Sequence, residues 1–412
     1  MAVDDLLHSW DDVSPAHLAA VQIEDDTLRD GLQGAYLRQP CQADKIDTLR
    51  RSAAIGVRYH MLGFPASSPR EFEDCRALLR VIKEERLAVV PRFLARARRE
   101  DIECIARLND EFALEVWADF FVATSPLRRA IEGWELADVV AKVQTAGHYA
   151  ASRGCPFGVS LEDSSRTRGA DLAAVIAVAA EVGAGYLTLC DTAGALSPTG
   201  ARKLTRFVRE HLAMLGRPLA LTWHGHNDRG LGLANALAAA EEGVDVISGA
   251  FLGIGERSGN TALEQVIIYL WQNGHPGFRV EALVSHCQRV AACVGKSIDA
   301  CAPLIGDQAF ATGTGTHAAA ILKGRALGIE YEDLVFSAVP AHKLGRGQEV
   351  TIGPLSGLAS ARYMLTRLAI DPTEDNAARL LEHAKRTDRA LDPEQIRGLF
   401  ATGSYPRMVA EI

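Results

Sequence analysis

From about residue 20 the chain settles into a rhythm of short apolar runs alternating with longer stretches of helical periodicity. The apolar runs are AAVQIEDDT, VRYHMLGF, LAVVPRFLA, FALEVWADFFV, PFGVSLED, YLTLCDT, LALTWHGHND and VDVISGAFLGIG, eight in all. Their length and their content of β-branched and aromatic residues predict strands. Between them lie segments such as DLAAVIAVAAEVGA and GLANALAAAEEGV. The second places Leu233, Leu237 and Ala240 on one face and stops at Gly243, a natural helix C-cap. Eight strands, each followed by a helix within roughly 260 residues, predict an α/β fold of the (β/α)8 TIM-barrel type. A doubly wound sheet is the rival architecture, but eight units without a dinucleotide-type glycine loop favour closure.

After residue 280 the rhythm is lost. Residues 281–328 read as helical around ATGTGTH, and 329–412 as an extended region, a TIGPLSG turn and helices. The expected organisation is therefore an N-terminal tail at 1–19, a catalytic barrel at 20–280 and a mostly helical appendage at 281–412.

Composition narrows the class without changing this picture. Among 412 residues, 48% are hydrophobic and 23% charged, ordinary values for a soluble globular enzyme. The net charge of −8 and the lack of basic residues interleaved with aromatics argue against a nucleic-acid surface. No apolar stretch is long enough to cross a bilayer, and MAVDDLLHSWDDVSP lacks a signal-peptide pattern. Cysteines 41, 75, 104, 155, 190, 287, 293 and 301 are scattered without a CxxC pair. That usage predicts reduced, buried thiols in a cytoplasmic protein.

The chemistry concentrates at the ends of the predicted strands, where barrels of this type place it. In LTWHGHND, His224 and His226 alternate along a strand, so both side chains project to one face and can share a metal ion. Strand 1 ends in DDTLRDG and strand 8 runs into GIGERSGN. Asp30, the two histidines and the amide of Asn260 converging on one mouth would suit a divalent cation. Arg29, beside that carboxylate, could neutralise charge developing on an oxygen. Taken singly, HxH in a strand is more often structural, RDG a turn and GxGxxxGN a loop. Their order and strand positions together point to a site.

The segments DDTLRDGLQ, HMLGFPASSPREF, LEDSSRTR, LCDTAGALSP, TWHGHNDRGLGLANA and GIGERSGNTALEQV resemble the DRE-TIM metallolyase superfamily. Within it the chain is similar to the Claisen-condensing branch of isopropylmalate, homocitrate and citramalate synthases, over roughly residues 20–365. The resemblance implies condensation of acetyl-CoA with a small 2-oxo acid to give a 2-substituted malate and CoA, with Mg, Mn, Zn or Co as cofactor. It implies Asp30, His224, His226 and Asn260 as metal ligands, the last directly or through water. Arg29 would steady the keto oxygen, and Gln33, Ser160 and Thr192 would bind the oxo acid. His317, in GTGTH, would take the proton from acetyl-CoA, with Tyr331 and Glu332 as its partners. In the family this histidine comes from the other subunit, which implies a domain-swapped homodimer. A carbon–carbon lyase or aldolase on the same barrel is the alternative, because RDGLQ reads as in hydroxymethylglutaryl-CoA lyases. A third reading is a homologue that binds metal or acyl-CoA without turnover. The chain departs from the branch at Met61, where a glutamate normally steadies the strand-1 arginine, and Asp26 is a candidate substitute. It departs also at Leu32 and at PLSG.

For the oxo-acid tail, Gly158 stands where homocitrate synthases present an arginine. That disfavours 2-oxoglutarate, and the glycine is expected to leave space. Arg92 shares a face with Leu94 and Arg96. It reads first as an outward, surface-paired arginine. Facing the mouth instead, it would bind a carboxylate, phosphonate or phosphinate tail and favour oxaloacetate or phosphonopyruvate. The stop at Ile412, where leucine-pathway synthases usually continue into a regulatory domain, leads to the expectation of no leucine feedback.

Overall fold

In the computed structural model, residues 3–10, 15–217 and 219–401 are described. The eight apolar runs form eight parallel strands: β1 Gln22–Asp25, β2 Tyr59–Met61, β3 Val90–Arg96, β4 Trp117–Ala123, β5 Phe157–Glu162, β6 Tyr186–Asp191, β7 Ala220–Gly225 and β8 Val246–Gly249. Each pairs with the next, and β1 returns to β8 in the register Gln22–Val246 to Asp25–Gly249, so the barrel is closed. The architecture is the expected (β/α)8 barrel. Strand alternation divides its side chains in two. Phe93, Phe120, Val159, Leu187, Trp223 and Ile247 are fully buried, and their parity points them at the surrounding helices. The opposite parity carries Glu24, Arg92, Asp119, Ser160, Thr188 and His224, so polar groups fill the barrel interior.

Local signals set the helices. Ser68 accepts from the Glu71 amide and Pro69 follows it at the start of Pro69–Glu85; Ser197 and Pro198 repeat the arrangement for Pro198–Met214. Helix Gly232–Glu242 ends at Gly243 with φ 107°, the left-handed cap its sequence predicts.

This barrel forms one compact unit over residues 11–297. It extends past the expected boundary at 280 because helix Leu283–Val294 packs on helix Gln42–Ile55. Arg289 on the former binds Asp44 and Asp47 on the latter at 2.8 and 2.6 Å. The second unit comprises residues 1–10 and 298–412. Its helices Leu358–Arg367, Glu374–Ala384 and Pro393–Ala401 enclose a small core that includes Met364, Leu365, Leu380 and Ile396. Strands Ala311–Thr312 and Glu349–Val350 pair in parallel, and the region after 329, expected to be extended, begins with helix Ile329–Leu334. All eight cysteines are free, but Cys41 and Cys301 are exposed rather than buried. Among the described residues, no helix is long and apolar enough to cross a membrane.

His286, on Leu283–Val294, stands edge-on to Phe251 at 4.2 Å between ring centroids, with no hydrogen-bond partner for either ring nitrogen. Burial pushes its imidazole down to about 4. The unfolded chain therefore binds this proton first, so stability rises with pH and is lost as pH falls from about 6.5 towards 4. Between pH 7 and 5 this group should remove about 2 kcal/mol. Unfolding free energies from urea titrations at the two pH values should converge in His286→Phe by about that amount; an unchanged gap would refute the assignment.

Candidate metal centre at the barrel mouth

Two strand ends bring the three donors together. The turn after β1 carries Asp30, and β7 with its continuation carries His224 and His226 on one side. Asp30 Oδ2 lies 3.9 Å from Nε2 of both histidines, and one donor atom from each of the three residues falls within 4.8 Å of the others. All three are buried, and the imidazoles stand nearly perpendicular at 5.1 Å.

The surroundings suit a cation. His224 Nδ1 faces Ser248 Oγ at 3.3 Å and Asp26 Oδ2 at 3.5 Å, which orients the ring and leaves Nε2 towards Asp30. Asn260 donates from Nδ2 to Asp30 Oδ1 at 2.7 Å and to the Ile254 carbonyl at 2.9 Å. Its Oδ1 is buried without a partner, as is Nδ1 of His226. Gly255, at φ 149°, makes the Asn260 contact possible, since a Cβ there would sit 2.2 Å from Asn260 Nδ2 and 2.8 Å from Asp30 Oδ1.

Electrostatics agree. Burial would raise the Asp30 carboxyl, but Arg29, the two imidazoles and the Asn260 amide outweigh it and hold the group below the usual carboxylate range. Burial and then His226 push His224 down to about 3, and burial lowers His226 as well. An ionised carboxylate and two neutral imidazoles are a ready ligand set for a divalent ion.

Arg29 is held between Asp26 and Asp30, with its NH1 2.9 Å from Asp30 Oδ2 and its NH2 on Asp26. Asp26 thus takes the position Met61 cannot serve, and Met61 packs into the cavity wall. That cavity, about 320 Å³, is lined by Arg29, Asp30, Gln33, Ser160, Thr192, His224 and His226, so most of the expected barrel residues share one space. The hydroxyl of Thr192 accepts from the Asp163 amide at 2.9 Å, leaving its proton free to donate.

Arg92 requires correction in both senses. It is neither at the surface nor in the cavity wall. It lies inside the barrel, bonded to Glu24 Oε2 at 2.7 Å and stacked between Tyr59 and Tyr186 at 4.4 and 3.8 Å from the ring centroids. Gly158 leaves no space either: a Cβ there would fall 2.2 Å from the Tyr186 ring, which occupies the room.

In the second unit, His317 stacks on Phe336 at 3.9 Å. Tyr331 and Glu332 share helix Ile329–Leu334, but buried Glu332 is committed to Arg325 at 2.6 Å. The sequence reading missed Glu256, whose position in the GER loop gave the signal and which lines the cavity. It also missed Asp119, which carries no motif; burial and then Glu24 push its carboxyl up to about 6.

Fold and donor set define a (β/α)8 barrel with a candidate divalent-metal centre at the C-terminal ends of its strands. The HMGL-like family model matches residues 20–291, and the chain belongs to that family. It is 33% identical over 316 residues to the 2-isopropylmalate synthase of Oceanobacillus iheyensis, covering 74% of this chain and 59% of that protein's length. It is 28% identical over 380 residues to the homocitrate synthase AksA of Methanopyrus kandleri, covering 92% of this chain and 89% of that one. The hydroxymethylglutaryl-CoA lyase of Pseudomonas aeruginosa shares the fold, with a TM-score of 0.56 at 24% identity over 67% of this chain and 93% of the other.

Proposed function

We propose that the protein condenses acetyl-CoA with a 2-oxo acid, releasing CoA and a 2-substituted malate. The carrying observation is the buried Asp30–His224–His226 cluster with Arg29 braced beside it. Asp30, His224, His226 and the open Oδ1 of Asn260 would hold a divalent ion, which would supply Lewis-acid polarisation to the keto group of the oxo acid. Arg29, fixed by two carboxylates, offers preorganised positive charge to the oxygen that becomes an alkoxide. Thr192 donates to the acid's carboxylate, and Gln33 and Ser160 border it. His317 is the proposed base for the acetyl methyl group, with Tyr331 nearby in sequence. Glu256, which lines the mouth, supplies a carboxylate there, whereas Glu332 is committed to Arg325. Relatives named as synthases support condensation over the lyase alternative, which the fold alone would equally allow.

The test is thiol release from acetyl-CoA with a panel of 2-oxo acids, with and without a chelator. Release that depends on both oxo acid and metal supports the reading; cleavage of a 3-hydroxyacyl-CoA without any condensation would favour the lyase.

A soluble homodimer with shared sites is part of the proposal. Mixing Arg29→Ala with His317→Ala protein should restore about a quarter of wild-type activity by statistical subunit exchange, if each site draws on both chains. Proven exchange without recovery would count against sharing.

A further inference from the structure

The floor of the barrel cavity is chemically specific in a way the metal centre does not use. Asp119 on β4 and Thr188 on β6 both line it and are 1% and 3% exposed, yet Asp119 Oδ1 and Thr188 Oγ1 have no hydrogen-bond partner. Ser160 and Tyr186 are the polar neighbours of Asp119, their hydroxyls interacting with its carboxylate, and Oδ1 is the acceptor left unmet. Buried polar atoms rarely stay unmet, so an open acceptor in a cavity wall asks for a donor from whatever fills the cavity.

Charge says what kind of donor. Glu24, Asp30, Asp119, Glu162 and Glu256 face this space, whereas its one guanidinium, Arg29, is already committed to Asp26 and Asp30. Below them Arg92 is taken by Glu24. A tail ending in carboxylate or phosphonate would meet carboxylates and no free cation. A purely aliphatic tail would pack on Leu94, Phe64, Phe121 and Met61 but leave Asp119 Oδ1 buried and unmet.

We infer that the 2-oxo acid carries an uncharged hydroxyl at the end of its tail, received by Asp119 with Thr188 beside it. Asp119 is then the specificity-determining residue. The inference rests on the condensing reading for the 2-oxo acid as ligand. Its selectivity follows from the general asymmetry of polar sites, which reject a ligand lacking the hydroxyl far better than apolar sites reject an extra one.

The test is calorimetric binding to the Mg- or Mn-loaded full chain without acetyl-CoA. Two shape-matched pairs serve: 4-hydroxy-2-oxobutanoate against 2-oxopentanoate, and 5-hydroxy-2-oxopentanoate against 2-oxohexanoate, with 2-oxoglutarate as the anionic arm. In at least one pair the hydroxy acid should bind about tenfold or more tighter, and 2-oxoglutarate should bind weakest. Asp119→Leu and Thr188→Val should narrow the ratio, Asp119→Leu to within about threefold. Should either variant fail to fold, the wild-type pairs alone decide. Equal binding within both pairs, undetectable binding of both hydroxy acids, or 2-oxoglutarate as the tightest ligand overturns the inference. Thiol release without a hydroxyl preference defeats this inference alone. A hydroxyl preference without thiol release from any oxo acid defeats the condensing reading instead.

Discussion

Replacing His224 with alanine is expected to abolish both divalent-metal binding and thiol release. The side chain is one of three donors within a 4.8 Å cluster, and among the described residues no other imidazole or carboxylate joins that set. Loss of an outer-shell partner of a metal ligand typically lowers affinity or activity about 10–100-fold, and loss of a ligand itself should exceed that range. Asn260→Ala gives the internal comparison. It removes the open Oδ1 and the 2.7 Å bond that orients Asp30 but leaves the three clustered donors in place, so its loss of affinity should be smaller than that of His224→Ala. Equilibrium dialysis with Mn or Zn reads binding, and the thiol assay reads turnover. Full activity of His224→Ala in metal-free buffer would remove the metal assignment altogether.

Arg92→Met is expected to damage the fold rather than choose the substrate. Arg92 and Glu24 are 4% and 2% exposed, and their 2.7 Å pair lies within the barrel. Removing the guanidinium strands a buried carboxylate, a change that typically costs about 3–5 kcal/mol. It also deletes the cation held between Tyr59 and Tyr186. The double variant Arg92→Met, Glu24→Gln should recover part of the loss, because it no longer leaves a charge unpaired. Urea denaturation of wild type, single and double variants measures this. A single variant as stable as wild type, together with a changed ranking of oxo acids, would return Arg92 to a substrate-binding role.

Much of this site was legible because it depends on short-range geometry. Two histidines one residue apart on a strand must share a face, whichever strands surround them. The RDG turn and the GER loop could be placed at strand ends because the βα rhythm counts strands reliably. Arg92 shows where such reasoning stops. Alternation put residues 92, 94 and 96 together, but nothing within β3 says that Glu24, 68 residues away, would claim the guanidinium. Gly158 is the same case: as a residue it looks like vacancy, and the Tyr186 ring from the neighbouring strand fills it. The barrel boundary moved from 280 to 297 because ion pairs between Arg289 and Asp44 and Asp47 join segments distant in the chain.

By itself, then, the sequence determined the strand count, the closed barrel, the strand-end positions of the candidate donors Asp30, His224 and His226 and the arginine beside them, since periodicity and local spacing are properties of consecutive residues. Only the tertiary structure decided which buried charges neutralise one another, and that Asp119, with Oδ1 unmet, lies at the cavity floor. Those outcomes depend on which side chains from separate strands fill the same volume, and on the desolvation each pays there.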